Sequence, residues 1–385
     1  MKIVIATDSF KGSASSLEVA GYLENGIRRV LPDAEVTKLP LADGGEGTVD
    51  ALVAALDGKY VECEVTGPLG EKVTAKFGLV GHRTAVIEMA EASGLPLIER
   101  KERDPFKTTT YGTGELIKAA LDHGVDEILI GIGGSATNDG GAGMAQALGV
   151  SFKTSLNKEI GFGAKALENI QQIDISGLDP RLKATKITVL SDVTNPLCGE
   201  TGASYIYGPQ KGATQKDVQE LDALLQRYGE QLESTLGKNI MNVEGAGAAG
   251  GLGAGLIAFC EAKLESGIEK VLDIIKLEDY VRGADLVITG EGKMDFQSVQ
   301  GKAPIGVAKV AQKHHVPVVA VVGAEGYKIQ EVYDHGIDLV VDIINKPMTL
   351  EEAMINVAPL TENAGGKIVR AYLLRKSVKE EEEKV

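Results

Sequence analysis

Carboxylates follow several apolar segments of this chain and are its main candidates for chemistry. Asp8, Asp43 and Glu46 lie in two early loops that also contain glycine and hydroxyl side chains, and Asp192 and Asp295 lie in two later loops. Carboxylates gathered beside a phosphate suit Mg²⁺, which prefers oxygen ligands. A carboxylate can also accept a proton from a substrate hydroxyl. These acids therefore predict metal-assisted or acid–base chemistry, and the pattern leaves open which acid has which role.

Two lysines and one glycine-rich loop could hold a phosphate. Lys11 and Lys293 could balance phosphate charge, although a single lysine is more often a surface residue. The stretch 128–150 reads ILIGIGGSATNDGGAGMAQALGV, which is an apolar run, a glycine-rich loop and a helical pattern. Glycines let backbone N–H groups approach an anion, and the start of a helix adds partial positive charge. A tight turn with a helix cap is the alternative. The phosphate-binding candidates in this loop are Gly133, Gly134, Ser135, Thr137 and Asn138.

Loops that follow parallel strands meet at one edge of the sheet. The loops at Asp8, Asp43, Glu291 and Gly323 each follow a predicted strand, so we expect them to line one ligand site. Ordinary β–α turns with Asp and Ser as helix caps are the alternative. The candidates for contact with substrate or phosphate in the acid-containing loops are Asp8, Ser9, Asp43, Gly44, Gly45, Glu46, Asn195 and Glu291.

Buried strands must position these loops. Ile3–Ala6 is a continuous apolar run, which is typical of a strand buried on both faces of a parallel sheet. Two such strands before the central region and three after it predict a doubly wound α/β sheet with flavodoxin-like strand order. The central region opens with alternating apolar and polar residues, which predict an antiparallel meander and a second, inserted α/β domain. We place the flavodoxin-like domain at 1–57 and 264–385 and the inserted domain at 58–263.

Composition excludes several classes of partner. The formal charge of -15, the absence of Trp and an aromatic content of 4% oppose nucleic acid as a partner. The three cysteines are far apart, which argues against a disulfide framework and favours a reducing cytoplasm. No apolar run approaches the length of a membrane span, so we expect no membrane partner. We expect the charged segment 379–385 to be solvated.

The common nucleotide-binding motifs are absent from this sequence or are matched only weakly. A Walker A loop is absent, and residues 245–250 match GxGxxG without a convincing strand before them. A flexible glycine loop before an apolar helix is therefore preferred to a dinucleotide site. The match still leaves a nucleotide-dependent oxidoreductase as one alternative, and a non-catalytic sensor for a small carboxylate is another.

The combination of motifs resembles one known family, the type 1 glycerate kinases. The motifs are DSFKGS at Asp8, LADGGEGT at Leu41, GIGGSATNDGG at Gly131, LSDVTNPLCG at Leu190, GAAGGLGAG at Gly247, TGEGKMDFQS at Thr289 and GKAP at Gly301. The resemblance covers nearly the whole chain. It implies ATP- and Mg²⁺-dependent transfer of phosphate to D-glycerate, with the 2-phosphoglycerate product typical of bacterial members. It also implies a flavodoxin-like domain interrupted by a second α/β domain.

The roles that we give to single residues follow from their chemistry. Lys11 and Lys293 would neutralise charge in the transition state, and Asp192 or Asp295 would bind Mg²⁺ or take the substrate proton. We count all four as catalytic candidates. A 3-phosphoglycerate product, or a nucleotide-dependent enzyme or sensor for another small hydroxy acid, stays open as an alternative. A homodimer also stays open.

Overall fold

The computed structural model describes residues 1–382, so the last part of the charged segment, 383–385, lies outside the described residues. The chain forms two units. Unit 1 comprises residues 1–43, 50–55 and the chain from 268 onward, and unit 2 comprises 44–49 and 56–267. The insertion boundaries given above, at 58 and 263, stay a prediction.

Strands are found in both units. In the described part of the chain they are β1 (Lys2–Thr7), β2 (Glu35–Lys38), β3 (Lys59–Thr66), β4 (Lys72–Val80), β5 (Thr84–Glu88), β6 (Glu127–Gly131), β7 (Ser151–Lys153), β8 (Gln172–Asp174), β9 (Lys186–Leu190), β10 (Lys263–Glu265), β11 (Leu286–Met294), β12 (Val318–Glu325) and β13 (Leu339–Asp342).

Helices connect most of these strands. Those of the described residues are α1 (Ser16–Val30), α2 (Thr48–Ala55), α3 (Ala90–Ser93), α4 (Tyr111–Asp122), α5 (Ala142–Ala147), α6 (Ala203–Tyr207), α7 (Gln215–Leu236), α8 (Ala248–Cys260), α9 (Gly267–Ile274), α10 (Leu277–Val281), α11 (Ala303–Lys313), α12 (Leu350–Ile355) and α13 (Val357–Glu382). Short 3₁₀ segments occupy Leu95–Leu97, Arg100–Glu102, Ala164–Asn169, Pro180–Ala184, Pro209–Lys211, Phe296–Gln300 and Ile329–His335.

Unit 1 is built on a parallel sheet of five strands in the order β2, β1, β11, β12, β13. Numbered along unit 1 alone, this order is 2-1-3-4-5, which is the flavodoxin-like order. The predicted fold class is therefore confirmed. Strand β1 pairs with the central strand β11 in the register Ile3↔Leu286, and the backbone N–H of Lys2 donates to Asp285, 283 positions along the chain. Its apolar run is fully buried, as its lack of alternation predicted.

Helix α1 covers unit 1's sheet and packs against α13. Its first turn is fixed by a capping box between Ser15 and Glu18, which ends the loop that follows β1. A Cβ added at Gly26 would lie 1.8 Å from the carbonyl oxygen of Glu362 on α13, so the two helix backbones approach closely there. Leu23 and Ile27 on α1 are fully buried in the unit 1 core.

Unit 2 is built on a mixed sheet of six strands in the order β10, β9, β6, β5, β4, β3. Strands β3, β4 and β5 are antiparallel, which confirms the predicted meander, whereas β5, β6, β9 and β10 are parallel. Strands β7 and β8 form a separate pair. Phe77, Ile130 and Val189 lie in the unit 2 core with no exposed surface. None of the helices described combines the length and apolar composition needed to cross a membrane.

Candidate active site

A cavity of about 550 Å³ opens in unit 1 at the carboxyl ends of the parallel strands. The predicted convergence is visible here, because Asp8, Asp43, Glu291 and Gly323 all line this cavity. The polar side chains of its wall belong to Asp8, Ser9, Lys11, Ser13, Asp43, Glu291, Lys293 and Lys302. Carboxylates and ammonium groups therefore share one concave surface, an arrangement suited to a polar, charged ligand.

Asp8 is held directly after β1. Its backbone N–H donates to the carbonyl of Gly290 at 2.9 Å, and its carboxylate Oδ1 accepts from the N–H of Ser9 at 2.6 Å. The residue is only 7% exposed. Burial, followed by the negative charge of Asp43, raises the pKa of Asp8 to about 7, and Lys11 acts in the opposite direction. Asp8 is thus a buried acid that gains and loses its proton near neutral pH.

Glu291 lies on β11, the strand next to β1. Its Oε2 lies 3.2 Å from Nζ of Lys302, whereas its Oε1 is buried and accepts no hydrogen bond from the described residues. Burial raises the pKa of Glu291, and the Ser298 hydroxyl and Lys302 oppose that effect. A buried carboxylate oxygen without a donor is costly, so Oε1 would gain free energy from any group that donates a hydrogen bond to it.

Lys302 was missed as a functional residue by sequence reasoning. It occupies the N-cap position of α11, one residue before Ala303 and two before Pro304, and its side chain lines the cavity. The signal was present, because Lys302 is the lysine of the GKAP motif at Gly301. A single lysine in a loop does not indicate which carboxylate it will contact, however. The partner of Lys302 is Glu291, 11 positions earlier in the chain.

Asp295 has a structural contact for each carboxylate oxygen. Oδ1 accepts from the N–H of Gln297 at 3.0 Å, which caps the following 3₁₀ turn. Oδ2 lies 3.5 Å from Nζ of Lys293. Lys293 and Lys11 are exposed cations in the cavity wall. The structure therefore places both predicted catalytic lysines at the cavity, and it shows Asp295 as a capping residue beside one of them.

Part of the cavity wall is apolar and was not predicted. It is formed by Ile343, Leu350, Ala353, Met354 and Val357, most of them from α12 and the start of α13. Leu350 keeps 78% of its surface exposed. The cavity wall thus combines charged groups with aliphatic surface. Little in the sequence indicates this apolar part of the wall, because α12 is short and its apolar residues could equally have faced a core.

The glycine-rich loop of unit 2 is mostly buried. It follows β6 and precedes α5, in the strand, loop and helix order that the sequence predicted. Thr137 and Asn138 have no exposed surface, and Ser135 is 7% exposed. Nδ2 of Asn138 donates to Oγ of Ser204 at 3.0 Å, so this amide is engaged inside the unit. Gly133 is half-buried and Gly134 is exposed, which leaves their backbone as the accessible part of the predicted phosphate loop.

Asp139 fixes this loop from within. Its carboxylate accepts from the backbone N–H of Thr110 at 2.8 Å, of Gly141 at 3.1 Å and of Gly143 at 3.3 Å. Burial raises the pKa of Asp139, and these hydrogen bonds counteract it. The fully buried Lys211 donates to the carbonyl of Thr137 at 2.6 Å, and burial lowers its pKa to about 7. Sequence reasoning assigned no role to either charge, because both depend on contacts between distant segments.

The predicted binding residues Gly44 and Gly45 lie against the β6 loop within unit 2. A Cβ added at Gly131 would lie 2.5 Å from the carbonyl oxygen of Gly44, and one added at Gly133 would lie 2.8 Å from Cα of Gly45. Glycine at these positions is required by close backbone approach. Two predicted binding segments are therefore brought together here, and Glu46 beside them is exposed.

Asp192 and Asn195 lie in the loop after β9, also in unit 2. Asp192 is exposed, and its Oδ1 accepts from the N–H of Gly267 at 3.2 Å. Nδ2 of Asn195 donates to the carbonyl of Thr201 at 2.7 Å, and its Oδ1 accepts from the hydroxyl of Tyr207 at 2.8 Å. The amide of Asn195 thus organises its own loop.

The GxGxxG match belongs to a kink at the start of α8. Gly250 and Gly251 have φ of +70° and +87°, and Ala249 shares the left-handed conformation. A Cβ added at Gly250 would lie 1.9 Å from the carbonyl oxygen of Thr137. The glycines therefore permit contact between α8 and the buried loop after β6. This packing role agrees with the preference for a glycine loop over a dinucleotide site.

Comparison with known proteins identifies the family. The family model described as the glycerate kinase family matches residues 3–373. The chain belongs to the glycerate kinase family. It is 56% identical to a glycerate kinase of Haemophilus influenzae, an alignment that covers 90% of this chain and 92% of that one. It is 53% identical to a glycerate 2-kinase of Escherichia coli strain K12, with 92% and 93% covered.

A solved structure supports the same assignment. A protein assigned as glycerate kinase 2 from Salmonella typhimurium LT2 superposes with a TM-score of 0.87 at 50% identity, with 99% of both chains covered. The glycerate kinase family consists of phosphotransferases, so this chain is a kinase. The kinase assignment is therefore preferred to an oxidoreductase or a sensor, the two alternatives left open by the sequence.

A glycerate kinase that uses Mg²⁺ needs oxygen ligands for the metal. Within the described residues, no three His, Cys, Asp or Glu side chains lie together in an arrangement that could hold a metal ion. Kinases commonly bind Mg²⁺ through one or two carboxylates and the phosphates of the nucleotide. A metal ion held in that way would take most of its ligands from the nucleotide, and Asp295 would have to give up its contact with Lys293 to join it.

Proposed function

We propose that this glycerate kinase transfers the γ-phosphate of ATP to D-glycerate in the presence of Mg²⁺ and yields 2-phosphoglycerate. The observation that carries the proposal is the unit 1 cavity, in which the buried acids Asp8 and Glu291 share a wall with Lys11, Lys293 and Lys302. The relative of Escherichia coli strain K12, 53% identical, is a glycerate 2-kinase, which supports the position of transfer.

The chemistry of the cavity suits this reaction. Carboxylates accept hydrogen bonds from hydroxyl groups and can take a proton from one of them. The lysines are positive charges for the carboxylate of glycerate and for phosphate oxygens, whose charge must be neutralised during transfer. Phosphoryl transfer needs mainly positioning and charge neutralisation, and both kinds of group are present in this cavity.

The other predicted residues keep their proposed roles. The backbone around Gly133 and Gly134 is the proposed contact for phosphate in unit 2, next to Gly44 and Gly45. Asp192 and Asp295 are the proposed contacts for Mg²⁺ that accompanies ATP. Mg²⁺ would supply positive charge at the phosphate oxygens, while Lys11 and Lys293 would add to it.

Phosphorus NMR tests the reaction and its position together. The protein is incubated with ATP, Mg²⁺ and D-glycerate, and the new phosphomonoester signal is recorded with proton coupling. A doublet, caused by the single proton on C2, is the expected result. A triplet, caused by the two protons on C3, would instead assign 3-phosphoglycerate. If folded protein gives no new signal with D-glycerate but does with another small hydroxy acid, the substrate assignment is wrong.

The proposed function also implies a cellular location, and we propose an oligomeric state with it. A cytoplasmic enzyme is expected, because its substrates ATP and glycerate are small cytoplasmic metabolites and its thiols are unpaired: Cys63, Cys198 and Cys260 are free. A homodimer is the proposed assembly. Light scattering on the purified protein would give twice the chain mass of 40.5 kDa if this holds, and the chain mass itself if it does not.

A further inference from the structure

We infer that Asp8 is the residue that accepts the proton of the attacking substrate hydroxyl, an inference that rests on the proposed phosphate transfer to a hydroxy acid. Sequence reasoning considered Asp192 and Asp295 for this task. The geometry points to Asp8 instead, because its carboxylate is buried in the wall of the cavity, whereas Asp295 caps a turn and Asp192 is exposed.

The position of Asp8 in the sheet favours this role. It follows β1, which lies between β2 and β11, so loops from both neighbouring strands surround it. Asp43, after β2, and Glu291, on β11, line the same cavity. The N–H of Ser9 donates to Oδ1 of Asp8 and holds the carboxylate in place. A base fixed by a rigid strand end is better positioned than one on an exposed loop.

A second buried acid, Glu291, lines the same cavity as Asp8. Glu291 is 7% exposed, and its Oε1 accepts no hydrogen bond from any described residue although it lines the cavity. Its other oxygen is occupied by Lys302 at 3.2 Å. An unpartnered buried acceptor requires a donor, and a hydroxyl group is a donor of suitable size. A small hydroxy acid in this cavity would meet a wall that contains both Asp8, directly after β1, and Glu291, on β11.

The charges around Asp8 give it a proton affinity suited to a base. Burial has the largest effect, and the carboxylates of Asp43 and Glu291 also raise its pKa, to about 7, while Lys11 and the N–H of Ser9 oppose them. A general base works best when its pKa lies near the working pH. Asp8 would be substantially ionised at neutral pH and would hold a proton well enough to accept one.

The hydroxyl oxygen of the acceptor forms a bond to the γ-phosphorus of a nucleoside triphosphate, and the bond from that phosphorus to the bridging oxygen breaks, which releases the nucleoside diphosphate. The O–H bond of the acceptor breaks, and its proton moves to the carboxylate of Asp8. The proton then leaves to solvent, which restores the carboxylate.

The pH dependence of kcat/KM for D-glycerate tests the inference. In the unchanged enzyme, kcat/KM should fall as the pH decreases through about 7, because Asp8 becomes protonated. Asp8→Asn should lower kcat by about 100- to 10,000-fold. Asp43→Asn removes a negative charge beside Asp8, so it should move the acid limb of the profile to lower pH. The ionisation of ATP is the same in every assay, so a shift of the acid limb between variants reflects a change in the protein.

The outcomes separate this inference from the proposed function. If the unchanged enzyme does not phosphorylate D-glycerate, the proposed function is wrong. If it does, but Asp8→Asn retains more than about a tenth of kcat, or Asp43→Asn leaves the acid limb in place, Asp8 is not the base. The exposed Asp334→Asn serves as a control with an unchanged profile expected. If Asp8→Asn fails to fold, the pH profile of Asp43→Asn still decides whether Asp8 is the base.

Discussion

Lys302 and Glu291 form an asymmetric ion pair in the cavity wall, in which one carboxylate oxygen meets Nζ at 3.2 Å and the other is buried without a hydrogen bond from the described residues. The lysine keeps 39% of its side chain exposed, whereas the carboxylate keeps 10%. The pair thus holds Oε2 of Glu291 and leaves Oε1 as a buried acceptor without a donor.

Glu291→Gln should raise KM for D-glycerate by roughly 5- to 150-fold, the effect of losing one hydrogen bond to a buried charged acceptor of about 1–3 kcal/mol. Lys302 would retain the amide oxygen, so the amide NH₂ would take the place of Oε1 and replace an acceptor with a donor. Steady-state kinetics with glycerate as the varied substrate measure this. Glu325→Gln, at an exposed position, is the control. An unchanged KM in Glu291→Gln would mean that Oε1 does not meet the acceptor.

Asp8→Asn should make the folded protein more stable at neutral pH while it removes activity. The pKa of Asp8 is raised from 3.8 to about 7 in the folded state, so the folded state holds this proton more tightly than the unfolded state. Ionisation therefore costs stability as pH rises from about 4 to about 7, and the cost persists above 7. Removing the charge should add on the order of 4 kcal/mol at most at about pH 8 and much less at about pH 5.

Melting temperatures of both proteins at these two pH values test the expectation. The gain of Asp8→Asn over the unchanged protein should increase with pH. A gain of equal size at both pH values would show that the effect comes from packing and that the charge of Asp8 has little part in it.

Lys211→Met should change how stability depends on pH in the alkaline range. The pKa of Lys211 is lowered from 10.5 to about 7 in the folded state, so between these values the unfolded state binds more protons. Stability therefore gains up to about 1.4 kcal/mol for each pH unit across that window from this residue alone. Urea unfolding should show that the difference in stability between Lys211→Met and the unchanged protein becomes less favourable to the variant as pH rises from 7.

An exposed lysine on α7 provides the matched control for this measurement. Lys216→Met should leave the pH dependence as it is in the unchanged protein, because its side chain remains in solvent. Parallel curves for Lys211→Met and the unchanged protein would mean that Lys211 keeps its ordinary proton affinity when buried.

Gly250→Ala should destabilise the protein more than Gly237→Ala. Both glycines have left-handed backbones, with φ of +70° and +64°, so alanine costs about 1–2 kcal/mol at either one from conformation alone. A Cβ at Gly250 would also lie 1.9 Å from the carbonyl oxygen of Thr137, whereas nothing lies within 4 Å at Gly237. Thermal unfolding of the two variants measures the difference. Equal melting temperatures would show that the contact is relieved without cost.

The sequence predicted the sheet of unit 1 well because its signals are local. Ile3–Ala6 lacks alternation, and the structure shows a strand buried on both faces there. The strand count before and after the central region was sufficient to give the 2-1-3-4-5 order. The same rule predicted that the loops at Asp8 and Glu291 would meet, because parallel strands share their direction.

The buried charges could not be predicted in this way. Lys211 lies 74 positions from Thr137, whose carbonyl it meets, and nothing near it in sequence marks a buried lysine. Asp139 lies in a loop whose sequence is compatible with a phosphate site. In the structure its carboxylate accepts hydrogen bonds from the backbone N–H groups of Thr110 and Gly141. Both roles arise from contacts between distant segments, which spacing and composition do not encode.

The pairing of β1 with β11 also determines the order in which the chain can fold. Lys2 and Asp285, joined by a hydrogen bond beside this pairing, are 283 positions apart. A ribosome releases β1 and its neighbour β2 long before β11 exists, and every residue of unit 2 emerges in the interval. The second unit can therefore reach its native core during synthesis, whereas β1 must wait for its partner β11 until most of the protein has been made.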